Sequence, residues 1–294
     1  MADDLISISS GTLTARINPL GAELTSLTDG VGAQYMTDAD PAFWTGHAPI
    51  LFPIVGSLVD DTYRLGDEIY HLPRHGFARR SRFEVLAVEE DFAAFGLTDS
   101  EETRKIYPFA FRLRMAFRLT EGQLHMAATV TNAGEGAMPF SLGYHPAFAW
   151  PLPGRAAREA HRIVFDRDEP APVRRVSTMT GQLLPEKQAT PVVGRELALS
   201  PGLFEADAVI WDEMASRSLS YGAEGGAWLD INYPDTPYLG LWQVPGAHYL
   251  CIEPWAGHAD PQRFAGDFTQ KPGIETLEPG QSRSFRMDVS VRPR

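Results

Sequence analysis

A single cysteine, Cys251, in 294 residues excludes an internal disulfide framework and fits a reducing compartment. Basic residues are outnumbered, 26 against 38 acidic ones, and the formal charge of -12 argues against nucleic acid or an anionic membrane as partner, since both recruit basic patches. No apolar run is long enough to span a membrane. Met1-Ala2-Asp3-Asp4 leads straight into alternating residues without a basic, then apolar, leader, so no secretory signal is expected and a cytoplasmic location is. Chemical signatures are missing as well. No paired cysteines exist, and among the eight histidines His258-Ala259-Asp260 is too slight for a metal site. Gly225-Gly226 lacks a following Lys-Ser/Thr, no Gly-x-Gly-x-x-Gly opens a helix, and there is no Gly-x-Ser-x-Gly elbow. These absences leave acid/base chemistry without a cofactor or a metal.

What is present is alternation. Leu5-Ile6-Ser7-Ile8, Leu13-Thr14-Ala15-Arg16-Ile17 and Arg82 to Val88 place apolar side chains at every second position, the pattern of half-buried strands. It is clearest in 111–119, where Phe111, Leu113, Met115, Phe117 and Leu119 face one way and Arg112, Arg114 and Arg118 the other. Thr120-Glu121-Gly122-Gln123 then turns into a strand over Leu124 to Val130. The 26 glycines and 23 prolines leave no long helical stretch, and Glu101 to Lys105 predicts one short helical turn. Strands joined by tight turns predict packed antiparallel sheets in an all-β domain. The segments 151–160 and 170–191 read as long loops, and nothing resembles an inter-domain linker, so one domain over residues 1–294 is expected.

Two titratable residues stand in aromatic, Gly/Pro-punctuated settings. His145, in Gly143-Tyr144-His145-Pro146-Ala147-Phe148, follows a predicted buried strand over 140–144, with Tyr144, Phe148 and Trp150 nearby to stack on a flat ligand. Glu253, in Cys251-Ile252-Glu253-Pro254-Trp255, follows an apolar strand that Pro254 should end, and buried glutamates are rare unless paired or functional. Imidazole and carboxylate are the commonest proton-transfer groups in enzymes, and apolar surroundings move both toward neutrality. Each also has a plain structural explanation, a backbone-satisfied histidine and an ion-paired glutamate. His75 sits in Pro73-Arg74-His75-Gly76-Phe77-Ala78-Arg79, which reads either as a ligand loop or as a solvated basic one. Asp207 enters the apolar run Ala208-Val209-Ile210-Trp211 and reads equally as a turn residue. Cys251, between Leu250 and Ile252, reads as a small buried hydrophobe.

At these residues the chain resembles the aldose 1-epimerase (galactose mutarotase-like) family, LacX-like subgroup. The matching pieces are 49–56, 75–79, 143–148, 203–208 and 251–255, followed by Lys271-Pro272-Gly273-Ile274 and Leu277-Glu278-Pro279-Gly280, in order along nearly the whole chain. The resemblance implies a large antiparallel β-supersandwich and cofactor-free interconversion of the anomers of an aldose. By the same resemblance Glu253 is the general base toward the anomeric hydroxyl and His145 the general acid toward the ring oxygen. His75 and Asp207 hold sugar hydroxyls, with Arg79 a further substrate contact. The partner implied is a small sugar, free or phosphorylated, with oligomeric state left open; a non-catalytic sugar-binding protein is the alternative of another class. The chain departs from the subgroup at Gly56-Ser57, where an arginine commonly follows the glycine, and Arg64 is a candidate replacement.

Overall fold

In 111–120 the predicted alternation becomes a ten-residue strand, with Phe111, Leu113, Met115, Phe117 and Leu119 buried and Arg112, Arg114 and Arg118 exposed. The hairpin that follows pairs Leu119 with Leu124, Phe117 with Met126 and Met115 with Ala128. The next ladder sets Leu124, Met126 and Ala128 opposite Val289, Met287 and Phe285 of the strand Ser282–Arg292. Registration of three apolar faces makes one continuous inner wall, because a slip of one residue would turn every side chain to solvent. The computed structural model describes residues 5–293. Nine strands form the large sheet, in the order Glu196–Ala198, Arg162–Phe165, Ser218–Gly222, Trp228–Asn232, Ser282–Arg292, Gln123–Asn132, Phe111–Thr120, Phe92–Thr98 and Glu84–Val88.

A second sheet of six strands carries the residues of interest. Its path runs Val209–Trp211, Tyr238–Trp242, Tyr249–Ala256, Leu142–Tyr144 and Ile50–Leu51, with Ala147–Ala149 also pairing to Tyr249–Ala256. Every ladder within these two sheets is antiparallel. One hydrophobic cluster joins residues of both, including Phe52, Phe111, Phe140, Leu250 and Phe285. The predicted helical turn is the α-helix Glu101–Ile106, capped by the Ser100 side chain, and no other α-helix occurs among the described residues. Among the described residues no helix is long and apolar enough to cross a membrane.

Three strand expectations change. The segment 82–88 shortens to Glu84–Val88 and is not half-buried: as the last strand of the large sheet it leaves Val85, Leu86 and Val88 at 41%, 49% and 50% exposure. The single strand expected over 140–144 divides at Ser141, so that Met138–Phe140 pairs with Glu275–Leu277 while Leu142–Tyr144 joins the second sheet. The Ser141 N–H turns to the Pro53 carbonyl, and Gly257, at φ +108°, packs on the Ser141 side chain where a Cβ would collide. Nor does Pro254 end its strand: it pairs opposite Leu239 and the ladder runs on to Trp255, since a proline removes one donor without breaking the extended backbone.

Candidate active site

The strand Tyr249–Ala256 is central in its sheet and buried at every position. Beside it, Gly143 pairs with Trp255 and Ala147 with Cys251, while the Ile252 N–H donates to the Pro146 carbonyl. Between those pairs His145 falls directly opposite Glu253, and facing residues of antiparallel strands share one face of the sheet. His145 Nε2 lies 3.1 Å from Glu253 Oε2, with the side chains only 8% and 2% exposed. A break at His145-Pro146 separates Leu142–Tyr144 from Ala147–Ala149, yet register survives across it.

On its other side Glu253 faces Gly240. This matters for Trp255, two residues on and therefore on the same face. A Cβ at Gly143 would stand 2.5 Å from its Cδ1 and one at Gly240 2.4 Å from its Cη2, so the two glycines let the indole lie across three strands as a floor. Trp44 and Trp242 form the wall, with ring centroids 5.1 and 5.8 Å from the His145 imidazole and 5.6 Å from each other.

His75 arrives on a separate loop in the left-handed region, at φ +67°, followed by Gly76 at +70°. At Gly76 a Cβ would sit 2.2 Å from the Phe52 carbonyl oxygen, so only glycine permits this approach. Gly56 donates its N–H to His75 Nδ1 at 3.1 Å, which leaves the ring proton on Nε2. The His75 ring stands edge-to-face to that of His145, 5.7 Å between centroids. Asp207 also has left-handed backbone, at φ +65°. One Arg175 nitrogen holds the carbonyls of Leu203 and Asp207 at 2.8 and 2.9 Å, and Asp207 Oδ1 accepts the Ala208 N–H at 2.7 Å. Arg79 gives Nη2 to the Arg74 carbonyl at 3.3 Å and keeps its Nε without a partner.

All five residues singled out from sequence, His75, Arg79, His145, Asp207 and Glu253, line one cavity of about 240 Å³, together with Arg74 and the three tryptophans. Mixed polar and aromatic lining of that kind suits a small hydroxylated ring. Arg64 is not part of it and donates instead to the Ala265 carbonyl at 2.6 Å. The aromatic neighbours expected to stack on a ligand are elsewhere too. Tyr144 bonds the Phe285 carbonyl, Trp150 bonds that of Arg158, and Phe148 is fully buried in the core. Alternation explains it: positions 144 and 148 face away from the side that carries His145.

Burial pushes Glu253 well above the ordinary carboxylate range; Arg74 opposes this and Asp207 adds to it. Burial pushes His145 well below the ordinary imidazole range, against its own backbone contact and with help from Arg74 and Arg79. His75 is lowered in the same direction by burial, then by His145, Arg74 and Arg79. Two groups in contact that both resist charge hold one proton between them, so the His145–Glu253 pair is neutral as a unit and titrates as a unit. The Cys251 sulfur, His145 and Glu253 also present ligand-type atoms within 4.8 Å of one another, a grouping that spacing along the chain could not reveal. Burial, and then its proximity to Glu253, raise the Cys251 thiol well above its usual range.

A family model described as aldose 1-epimerase matches residues 4–290. The chain is 31% identical over 296 residues to the chromosomal protein LacX of Lactococcus lactis subsp. lactis, covering 97% of this chain and 99% of that one. Among solved structures it is similar to a galactose mutarotase related enzyme from Lactobacillus acidophilus, with TM-score 0.89, 31% identity and coverage of 98% and 97%. A galactose mutarotase-like protein from Lactobacillus casei superposes with TM-score 0.88 at 29% identity, over 98% of this chain and 100% of that one.

Proposed function

This chain belongs to the aldose 1-epimerase family, and we propose that it interconverts the α and β anomers of a free hexose by acid/base ring opening and closure. The observation that carries the reading is the contact at 3.1 Å between His145 and Glu253 under an aromatic wall. Anomeric hydroxyl and ring oxygen are bonded to the same carbon, so a base for one and an acid for the other must be neighbours. One proton on the pair is the required inventory, and it must pass from Glu253, where burial favours it, across the 3.1 Å contact to His145 before the ring opens. Glu253 takes the proton from the anomeric hydroxyl as His145 gives one to the ring oxygen. The ring opens to the aldehyde, the C1–C2 bond rotates, and both transfers reverse on the other carbonyl face. His75, with its proton on Nε2, donates to a sugar oxygen; Asp207 keeps an oxygen for sugar hydroxyls; the ring's apolar face packs on tryptophan. NMR exchange between the anomers of glucose and galactose tests this directly. Sugar binding with exchange at the uncatalysed rate would make the chain a binding protein instead.

A second reading, a phosphorylated hexose, is favoured by Arg74 and Arg79, which place two guanidinium groups in the lining, whereas Arg80 and Arg82 are outside it. Its test is glucose 6-phosphate against glucose. A preference for the phosphorylated sugar that disappears in Arg79→Gln supports it, and equal rates for the two sugars reject it.

A further inference from the structure

Behind the cavity lies a buried ion pair whose two residues are not in its lining. Lys271 Nζ is 3.1 Å from Asp260 Oδ1, and the two side chains are 0% and 4% exposed. It also donates to the His258 carbonyl at 2.5 Å. Asp260 in turn makes three bonds to two other segments: its Oδ2 accepts the Val59 N–H at 3.0 Å, its N–H donates to the Ser57 carbonyl, and its carbonyl accepts the Leu183 N–H. Ala259, the next residue back, lies against Gly56 so closely that a Cβ there would be 2.5 Å from the alanine methyl. Gly56 makes both hydrogen bonds that orient His75, giving its N–H to Nδ1 and taking the His75 N–H on its carbonyl.

We propose that Lys271 is a positioning residue of the sugar site, acting through Asp260 and the 56–59 backbone to aim the His75 ring. The inference rests on the sugar-site reading above. Removing two charges from water is a poor way to gain stability, and apolar replacements of buried pairs are often as stable as the original. A pair kept there is explained better by the segments it registers than by its own energy. Lys271 is outside the lining, so its effect reaches substrate through residues that Asp260 holds in place, with Gly56 and His75 in line.

The experiment is the double replacement Lys271→Met with Asp260→Leu, which leaves no lone buried charge. The expected result is a denaturation midpoint close to wild type, sugar affinity and KM weakened several-fold to about tenfold, the worth of one misdirected hydrogen bond, and displaced ¹⁵N resonances of the His75 ring. A merely structural pair would move the midpoint and leave KM and the His75 resonances alone, and that result overturns the proposal. Should the double variant not fold, Lys271→Met with Asp260→Asn, which keeps an oxygen for the Val59 N–H and again leaves no lone buried charge, is read in the same two ways, with the same changes expected and their absence decisive against. Wild-type turnover is measured beside these. A protein that binds sugar without turnover would sink the mutarotase reading while the affinity and the His75 resonances still decide this one.

Discussion

Glu253→Gln removes a buried ionisable group without opening a cavity, and therefore separates chemistry from packing. General-base catalysis contributes about 10²–10⁴-fold, so anomer exchange should fall by that factor, about 2.7–5.4 kcal/mol of barrier. Stability should move the other way. In the unfolded chain the carboxyl ionises around the usual value of 4.5, whereas in the folded protein burial raises it. A raised folded pKa means a contribution that is complete below the unfolded value and lost as pH rises toward the folded one. The wild-type fold retains a proton that the unfolded chain releases, and glutamine has none to retain. Subtracting the wild-type unfolding free energy from that of the variant cancels the other titrating groups. The difference should climb by about 1.4 kcal/mol per pH unit from about pH 5, reaching roughly 2.7 kcal/mol by pH 7 if the pair still holds its single proton there. Denaturant melts of both proteins at pH 5, 6 and 7 measure the slope, and two-dimensional exchange NMR measures the rate. A flat difference would mean that the pair is already ionised and that the burial argument is wrong. A rate loss of less than tenfold would remove Glu253 from the mechanism.

Gly240→Ala tests the floor of the cavity: its methyl would occupy space 2.4 Å from the Trp255 ring, so the indole must tilt. Overpacking of this kind costs about 1–3 kcal/mol, to be read from denaturant melts, with a shift in tryptophan emission and a raised KM. Trp242→Phe keeps an aromatic wall and should change KM little, whereas Trp242→Ala forfeits stacking worth about 0.5–1.5 kcal/mol and should raise KM by roughly 2- to 13-fold. Equal KM values for the two Trp242 variants would show that the sugar does not lean on that wall.

Strand periodicity alone was sufficient for 111–119 and 124–130 in the middle of the large sheet, because each has one face on the core and one turned outward, and that contrast is written into every second residue. Glu84–Val88 shows where the signal misleads. It alternates like its neighbours but sits at the sheet edge, where nothing covers it. The second sheet is harder to read for the opposite reason. Tyr249–Ala256 is buried on both faces, so burial leaves no period by which to say which side Glu253 shares with what.

The pairing of His145 with Glu253 is therefore a fact of register, and register depends on residues that look unremarkable in isolation. His145 and Glu253 each stood out by their apolar surroundings, but that argument, taken literally, also nominated Tyr144, Phe148 and Trp150 as ligand contacts, and all three serve the core. The aromatics that do line the cavity come from distant segments, Trp44 before the second sheet and Trp242 in the strand beside Glu253. Their recruitment is permitted by absence: glycine at 143 and 240 lets Trp255 lie down, and glycine at 56 lets Ala259 and His75 close in from two sides. A titratable residue announces its chemistry by its type, whereas the geometry that makes it useful is set by where side chains are missing. That is why His145, Glu253 and the other residues that line the cavity could be singled out one by one, while the floor, the wall and the Lys271–Asp260 tie behind them required the folded chain.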